Sequence, residues 1–353
     1  MTFEGIKQII YSIRSFISTI IYNIDQHDDS LIFLFGNKYD ADKYDSFLKS
    51  FHEIILFSYR YNFPTIRSEW DFSIETGSSV TTDLGWGCML RVIQMSLALG
   101  LLRYCKMKKY TYSLDYILQN FQDLEESLFS IHQFVKVGCS IFNKKPKDWF
   151  GPTSASTIAD YLVKNNPFLF NNFRISSILF KDGTIYKSNL FQSFKNEEYS
   201  ENTLTFVWLC TRLGSSALNI QKYKDSIFSI FKNVPQLICI AGGHNCSSSA
   251  LLIVGASEKF LYCLDPHIKL QEAFVIKNFN REEFIQQVPM RISWENLNPS
   301  LSFVFCCTDI DDFNHLCYSL VNIDPQLFEI LPNKIKKPNW TERRDRDNDF
   351  IVI

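Results

Sequence analysis

The chain has 353 residues, 46% of them hydrophobic, with 32 Phe, 16 Tyr and 6 Trp. That is enough apolar area for one large domain or two ordinary ones. Its formal net charge of −2 carries no basic excess to mark a nucleic-acid binder and no acidic excess to mark a solvating tail protein. The ten cysteines form no CxxC pair, which argues against a zinc cluster or a dithiol redox site, and most lie in apolar runs such as "VFCC", "LICI" and "FLYCL", as reduced buried thiols do.

In chain order, the first 26 residues repeat isoleucine at helical spacing (Ile6, Ile9, Ile10, Ile13, Ile17, Ile20, Ile21, Ile24). They predict an amphipathic helix docked on the body of the protein. Its polar face is poor in Lys and Arg, which weighs against a role on a membrane surface. The opening residues lack the basic and apolar regions of a secretory signal, and the longest apolar stretches fall short of the roughly 20 residues of a membrane span. A cytosolic protein without disulfides is the expectation.

Residues 41–59 predict a helix, stopped by Pro64 in "YNFPTI". A further helix is predicted from Cys88 to about Lys106 and another over 113–130. "GPTSASTIADYLV" predicts one opening at Gly151-Pro152, with Thr153 or Ser154 as its cap. The chain then turns to strands. "RISSILFKDGTIY" predicts a hairpin at Asp182-Gly183 and "LIVGASEKFLYCL" another. "TFVWLCTRLG", "QLICIAGG" and "LSFVFCC" predict single strands, and "DIDDFNHLCYSL" a helix with acidic residues in its first turn. Helices followed by hairpin-linked strands make an α+β fold. Residues 332–353 form a polar, Pro-containing tail ending in "FIVI".

The residues best placed for chemistry are in "TTDLGWGCMLRVIQM" and "LDPH". Gly85 and Gly87 permit a tight turn, and Cys88 would then stand in the first turn of a helix, where free N–H groups and the dipole favour a thiolate and an oxyanion. Asp265 and His267, two apart at an extended strand end, would face one way, so that the carboxylate orients the imidazole. Cys88, Asp265 and His267 thus make a candidate nucleophile, orienter and base. Each tripeptide alone is weak. A structural reading of all three stays open, and His244 and Cys246 in "AGGHNCSSS" are the competing base and thiol.

Several stretches match one family together: "FSYRYNFPTI", "DLGWGCMLRVIQM", "SIHQ", "WFGPTS", "RLG", "GG", "LDPH" and "DIDDFNHLC", in order, with "LFGNKY" ahead of them. On these the chain resembles the autophagins, cysteine peptidases that process the ubiquitin-like modifier of autophagy, over about residues 31–331. The resemblance implies a papain-like catalytic domain over 27–331, with helices around a mostly antiparallel sheet. It implies Cys88 as nucleophile, His267 as base, Asp265 as orienter and Tyr59 as a hydroxyl aiding the oxyanion hole. Trp149 corresponds to a tryptophan covering the site, and Gly242 and Gly243 begin a loop that moves when substrate enters.

The implied reaction cuts after a glycine near the end of the modifier precursor and also releases the modifier from phosphatidylethanolamine. It involves transient contact with a membrane surface, no nucleic acid, no metal or organic cofactor, and a monomer. Phe350 and Ile353 of "FIVI" fit the aromatic-x-x-aliphatic pattern by which partners add a strand to such modifiers, as does "FEIL" at 328–331. Alternatives are a protease for another glycine-ended modifier, or a binding protein without catalysis. The chain departs from the family at Thr153, at "CTRLG", in "GGHNCSSSALL" and over 165–202.

Overall fold

The strand-rich half of the sequence folds into one broad sheet in the computed structural model, which describes residues 30–66, 80–110, 114–170, 173–188, 203–245 and 249–332. The N-terminal helix expected over 1–26, the thiol of Cys246 and the "FIVI" end with Phe350 and Ile353 lie outside the described residues.

The strands are β1 (Ile32–Leu34), β2 (Asn37–Tyr39), β3 (Tyr59–Ile66), β4 (Val80–Thr82), β5 (Phe168–Phe170), β6 (Phe173–Phe180), β7 (Thr184–Tyr186) and β8 (Thr203–Arg212). They continue with β9 (Leu237–Gly243), β10 (Ala250–Ala256), β11 (Phe260–Leu264), β12 (Leu270–Glu272), β13 (Met290–Ser293), β14 (Ser300–Cys307) and β15 (Glu329–Leu331). The helices are α1 (Tyr44–Phe51), α2 (Cys88–Met107), α3 (Leu114–Leu118), α4 (Ile131–Phe142), α5 (Pro152–Asn165), α6 (Ile220–Asn233) and α7 (Ile310–Ile323).

The main sheet runs β13-β11-β10-β9-β14-β8-β6-β5, with β1 also paired to β10. Its pairs are antiparallel except β6 with β8. A smaller sheet, β12-β3-β4, stands beside it. The architecture is α+β and papain-like. Alternation along the central strands divides the core in two. Phe206 and Trp208 of β8 and Leu252 and Val254 of β10 face the layer that holds α2. Val207, Leu209, Leu251 and Ile253 face the layer holding α6 and α7, as the two-residue period of a strand requires.

The helix after Cys88, the hairpin of β10 and β11 and the helix at Asp309 form as expected. Asp309 caps α7, its side chain accepting from the Asp312 N–H. Helix α2 corrects one expectation. It has 20 residues and is apolar enough by composition to cross a membrane. It is instead the core helix, with 89% of its most apolar window buried inside the fold.

Other expectations yield to pairing between distant segments. The helix foreseen over 41–59 ends at Phe51, and Tyr59–Ile66 is strand β3, held by parallel pairing of Tyr59 with Leu270. Pro64 sits where the β3–β4 ladder is irregular, so its missing N–H costs no regular ladder bond. The helix foreseen over 113–130 shrinks to Leu114–Leu118 and a 3₁₀ turn, because Gln122 and Asp123 bind the backbone N–H groups of Ile276 and Phe274.

Helix α5 is capped by Gly151 with Pro152 at its first position, and neither Thr153 nor Ser154 serves as a side-chain cap. Asp182-Gly183 makes a turn, but β7 leaves β6 and pairs in parallel with β15. That pairing consumes "FEIL". Phe328 is buried against Phe303, and Glu329, Ile330 and Leu331 are already in a sheet.

Candidate active site

The loop before α2 is built around Asp83. Its carbonyl accepts from the N–H groups of Trp86 (3.2 Å) and Gly87 (2.9 Å), while Thr82 accepts the Trp86 indole N–H at 3.0 Å. Gly85 turns the chain at φ 85°, a conformation that favours glycine. Gly87 is needed for a different reason: a Cβ there would come within 2.5 Å of the Asp83 Cβ and 2.7 Å of its Oδ2. Gly87→Ala is therefore expected to lower stability by about 2 kcal/mol through overpacking. It should also slow Cys88 chemistry by shifting the loop. Denaturant midpoints and thiol alkylation rates check both, and a variant equal to the parent in both contradicts the packing.

This loop delivers Cys88 as the first residue of α2. Its N–H belongs to the first turn, where backbone donors have no acceptor within the helix. Cys88 is 1% exposed and lies close enough to His267 to raise the imidazole's pKa.

His267 comes from the other side of the site, just after β11. The sequence anticipated an extended strand end, but residues 265–268 form a turn. Asp265 Oδ1 accepts both the His267 backbone N–H (2.9 Å) and its ring Nδ1 (2.5 Å), so an Asx turn aligns the pair. Gln286 fixes the carboxylate's own backbone, accepting from the Asp265 N–H at 2.8 Å and donating to the Cys263 carbonyl. Tyr59 completes the group: its N–H donates to the Pro266 carbonyl at 3.0 Å. Its ring stands edge-on to the His267 imidazole at 5.1 Å.

Burial works against a charged His267. Asp265, its hydrogen bond and the contact with Cys88 outweigh burial, and the imidazole is pushed up to about 10. Because the folded value lies above the unfolded 6.5, the charged pairing stabilises the fold fully below about pH 6.5 and is lost as pH rises toward about 10. The stability difference between the parent and His267→Gln should thus be largest near pH 6 and shrink toward pH 10. A difference that stays constant in denaturant titrations contradicts the pairing.

The competitors fare differently. His244 is buried and bridged to Leu297. Burial lowers it, with Asp265 pulling weakly the other way. Among the described thiols, burial pushes Cys105 up to about 11 and Cys239 and Cys317 to about 12, and it raises Cys210, Cys263, Cys306 and Cys307. Such thiols are poor nucleophiles at neutral pH.

Trp149 lies on the segment between α4 and α5 and is 43% exposed, while its neighbour Phe150 is fully buried beneath Gly138 and anchors the segment. Gly242 and Gly243 belong to β9, paired with Leu251 and Ala250. They end that strand and do not begin a loop. No cluster of His, Cys, Asp and Glu suited to a metal occurs among the described residues.

Residues 44–319 match the family described as Peptidase C54 catalytic domain. The chain belongs to the peptidase C54 family. Among C54 relatives, it is 27% identical to "Cysteine protease ATG4D" of Xenopus laevis, over 83% of this chain and 71% of that protein. It is 28% identical to "Probable cysteine protease atg4" of Schizosaccharomyces pombe, over 81% of each. It is also 28% identical to the Botryotinia fuckeliana protein of that name, over 76% of this chain and 65% of the relative. As a C54 member the chain is an autophagy-related cysteine protease.

What lies beneath the candidate site carries almost no signal in the sequence. Asp83, Arg91 and Asp123 form a fully buried ionic cluster under it. The one available signal was an Asp and an Arg placed eight residues apart across the cysteine. Gln286 carried no signal at all.

Proposed function

We propose that this C54 protease cuts the bond after a glycine near the C-terminus of the autophagy ubiquitin-like modifier precursor, and that the same site releases the modifier from phosphatidylethanolamine. The observation that carries the reading is the Asp265–His267 hydrogen bond, with the imidazole electrostatically coupled to Cys88 at the N-terminus of α2.

In this reading His267 is the imidazolium beside a Cys88 thiolate. The sulfur attacks the glycine carbonyl carbon, and the oxyanion is met by the Cys88 N–H and the Tyr59 hydroxyl. The C–N bond breaks as His267 gives its proton to the leaving nitrogen, leaving a thioester on Cys88. His267 then takes a proton from water, the hydroxide attacks the thioester, and the C–S bond breaks to free the glycine carboxylate and return the thiolate. Only the leaving amine differs between the two substrates: a peptide in one, a lipid ethanolamine in the other. Asp265 stabilises the imidazolium throughout.

The exposed indole of Trp149 and the 244–249 loop at Gly242-Gly243 are assigned as the gate that admits a narrow glycine end. Phe350 and Ile353 are assigned as a second hold on the modifier. A cytosolic monomer that meets membranes transiently belongs to the same proposal.

The test is incubation with a modifier precursor extended beyond its glycine, followed by mass spectrometry. Release of a glycine-ended product supports the reading, and an intact precursor ends it. Cleavage of a different glycine-ended modifier alone would move the substrate assignment and leave the chemistry in place.

A further inference from the structure

Four charged side chains are packed between the nucleophile helix and the segment that follows His267. Arg91 lies three residues beyond Cys88 on α2. Its Nε donates to Asp83 Oδ2 at 2.6 Å and its Nη1 to Asp123 Oδ1 at 2.7 Å and to Gln94 Oε1 at 3.1 Å. All three ionic side chains are 0% exposed.

Each carboxylate uses its other oxygen elsewhere. Asp83 Oδ1 accepts the backbone N–H of Arg60 at 2.6 Å, one residue after the Tyr59 that holds Pro266 and His267. Asp123 Oδ2 accepts the N–H of Phe274 at 2.8 Å, and its own N–H donates back to the Phe274 carbonyl. Phe274 follows β12, the strand that leads from His267 and pairs with β3. Arg60 closes the circuit, its Nη1 donating to the Glu272 carbonyl and its guanidinium lying 4.8 Å from the Phe284 ring.

One guanidinium thus joins the loop that carries Cys88 to the segments that carry His267. Stability is a poor reason for such a cluster. Desolvating buried charges offsets much of their attraction, and well-packed apolar residues often do as well. Geometry is a better reason. A planar fork grips two carboxylates at fixed positions, which an ammonium on a flexible stem does not.

We propose that Arg91 is a positioning residue for the protease reaction, setting the separation of Cys88 and His267 by clamping Asp83 and Asp123 together. The inference rests on the proposed reading that these two residues react as a pair.

The test is Arg91→Lys in the full chain, which keeps the charge and loses the fork. Expected is a fall in kcat of at least about tenfold on the extended precursor with KM changed less than about threefold, since misplacement of reacting groups costs rate more than binding. The rate of Cys88 alkylation by iodoacetamide at neutral pH should fall in parallel, while the protein still unfolds in one cooperative step. A variant that melts earlier but keeps kcat and alkylation within about twofold, or that changes KM alone, shows a structural role only and overturns the proposal.

Should Arg91→Lys not fold, Asp123→Asn carries the same test. It retains the Arg91–Asp83 pair, and a lowered kcat with slower alkylation supports the clamp, while parent-like values overturn it. Failure of the protease reading is separate: there the parent itself leaves the precursor intact and shows no fast-reacting thiol, and this inference falls with it. If the parent cleaves and the variants match it, only the positioning role fails.

Discussion

Cys88→Ala is expected to leave the modifier precursor uncut, with kcat lower by about 10⁴-fold or more. Covalent catalysis splits a difficult hydrolysis into two easier steps, and without the sulfur neither step exists. Seven of the other described thiols do not stand in, because burial raises the pKa of Cys105, Cys210, Cys239, Cys263, Cys306, Cys307 and Cys317. The substitution is small and lies in the first turn of α2, where alanine suits the helix. The variant should therefore melt close to the parent and still bind the precursor. Time courses of cleavage beside a binding isotherm separate the two effects. Cleavage persisting above about 1% of the parent rate would remove Cys88 from the chemistry.

The second large effect concerns the pair that serves the thiol. His267→Ala removes both the proton carrier and the counter-ion, and a loss in kcat of about 10³-fold or more is expected. Asp265→Asn is more informative. It preserves size, but an amide cannot supply the charge that lifts His267 to about 10. It also tends to hold the wrong tautomer, because it can donate to Nδ1 instead of accepting from it. A loss of about 10²- to 10⁴-fold in kcat is expected. Fast alkylation of Cys88 should then require higher pH, since the imidazolium beside it is present only at lower pH. An Asp265→Asn variant within threefold of the parent, with an unmoved alkylation profile, contradicts the orienting role.

Local signals made much of this molecule legible in its sequence. Helix α2 announces itself through a run rich in Leu, Met, Ile and Ala after two glycines, and the β10–β11 hairpin through two apolar runs joined by "SEK". What stayed hidden was set by partners far along the chain. Tyr59–Ile66 reads as a helix end until Leu270–Glu272 arrives to pair with it. Residues after Phe121 keep helical composition, but Gln122 and Asp123 are committed to backbone donors about 150 positions later. The Asp182-Gly183 turn is real, yet the strand after it belongs with Glu329–Leu331.

The site divides in the same way. Cys88, Asp265 and His267 are legible as candidates from a helix start and a tripeptide. A turn, and not strand alternation, aligns Asp265 with His267. The buried charges were overlooked because Asp and Arg ordinarily read as surface residues. Only the structure shows Asp83, Arg91 and Asp123 fully enclosed.

The account rests on one bond: a thioester between Cys88 and the terminal glycine of the modifier. A modifier ending at that glycine and carrying an electrophile in place of its carboxyl group traps this bond directly. Incubation at neutral pH followed by peptide mapping should place a single stoichiometric adduct on Cys88. The adduct should form slowly with Asp265→Asn and not at all with Cys88→Ala. An adduct on another cysteine, or none with the parent chain, would contradict the account.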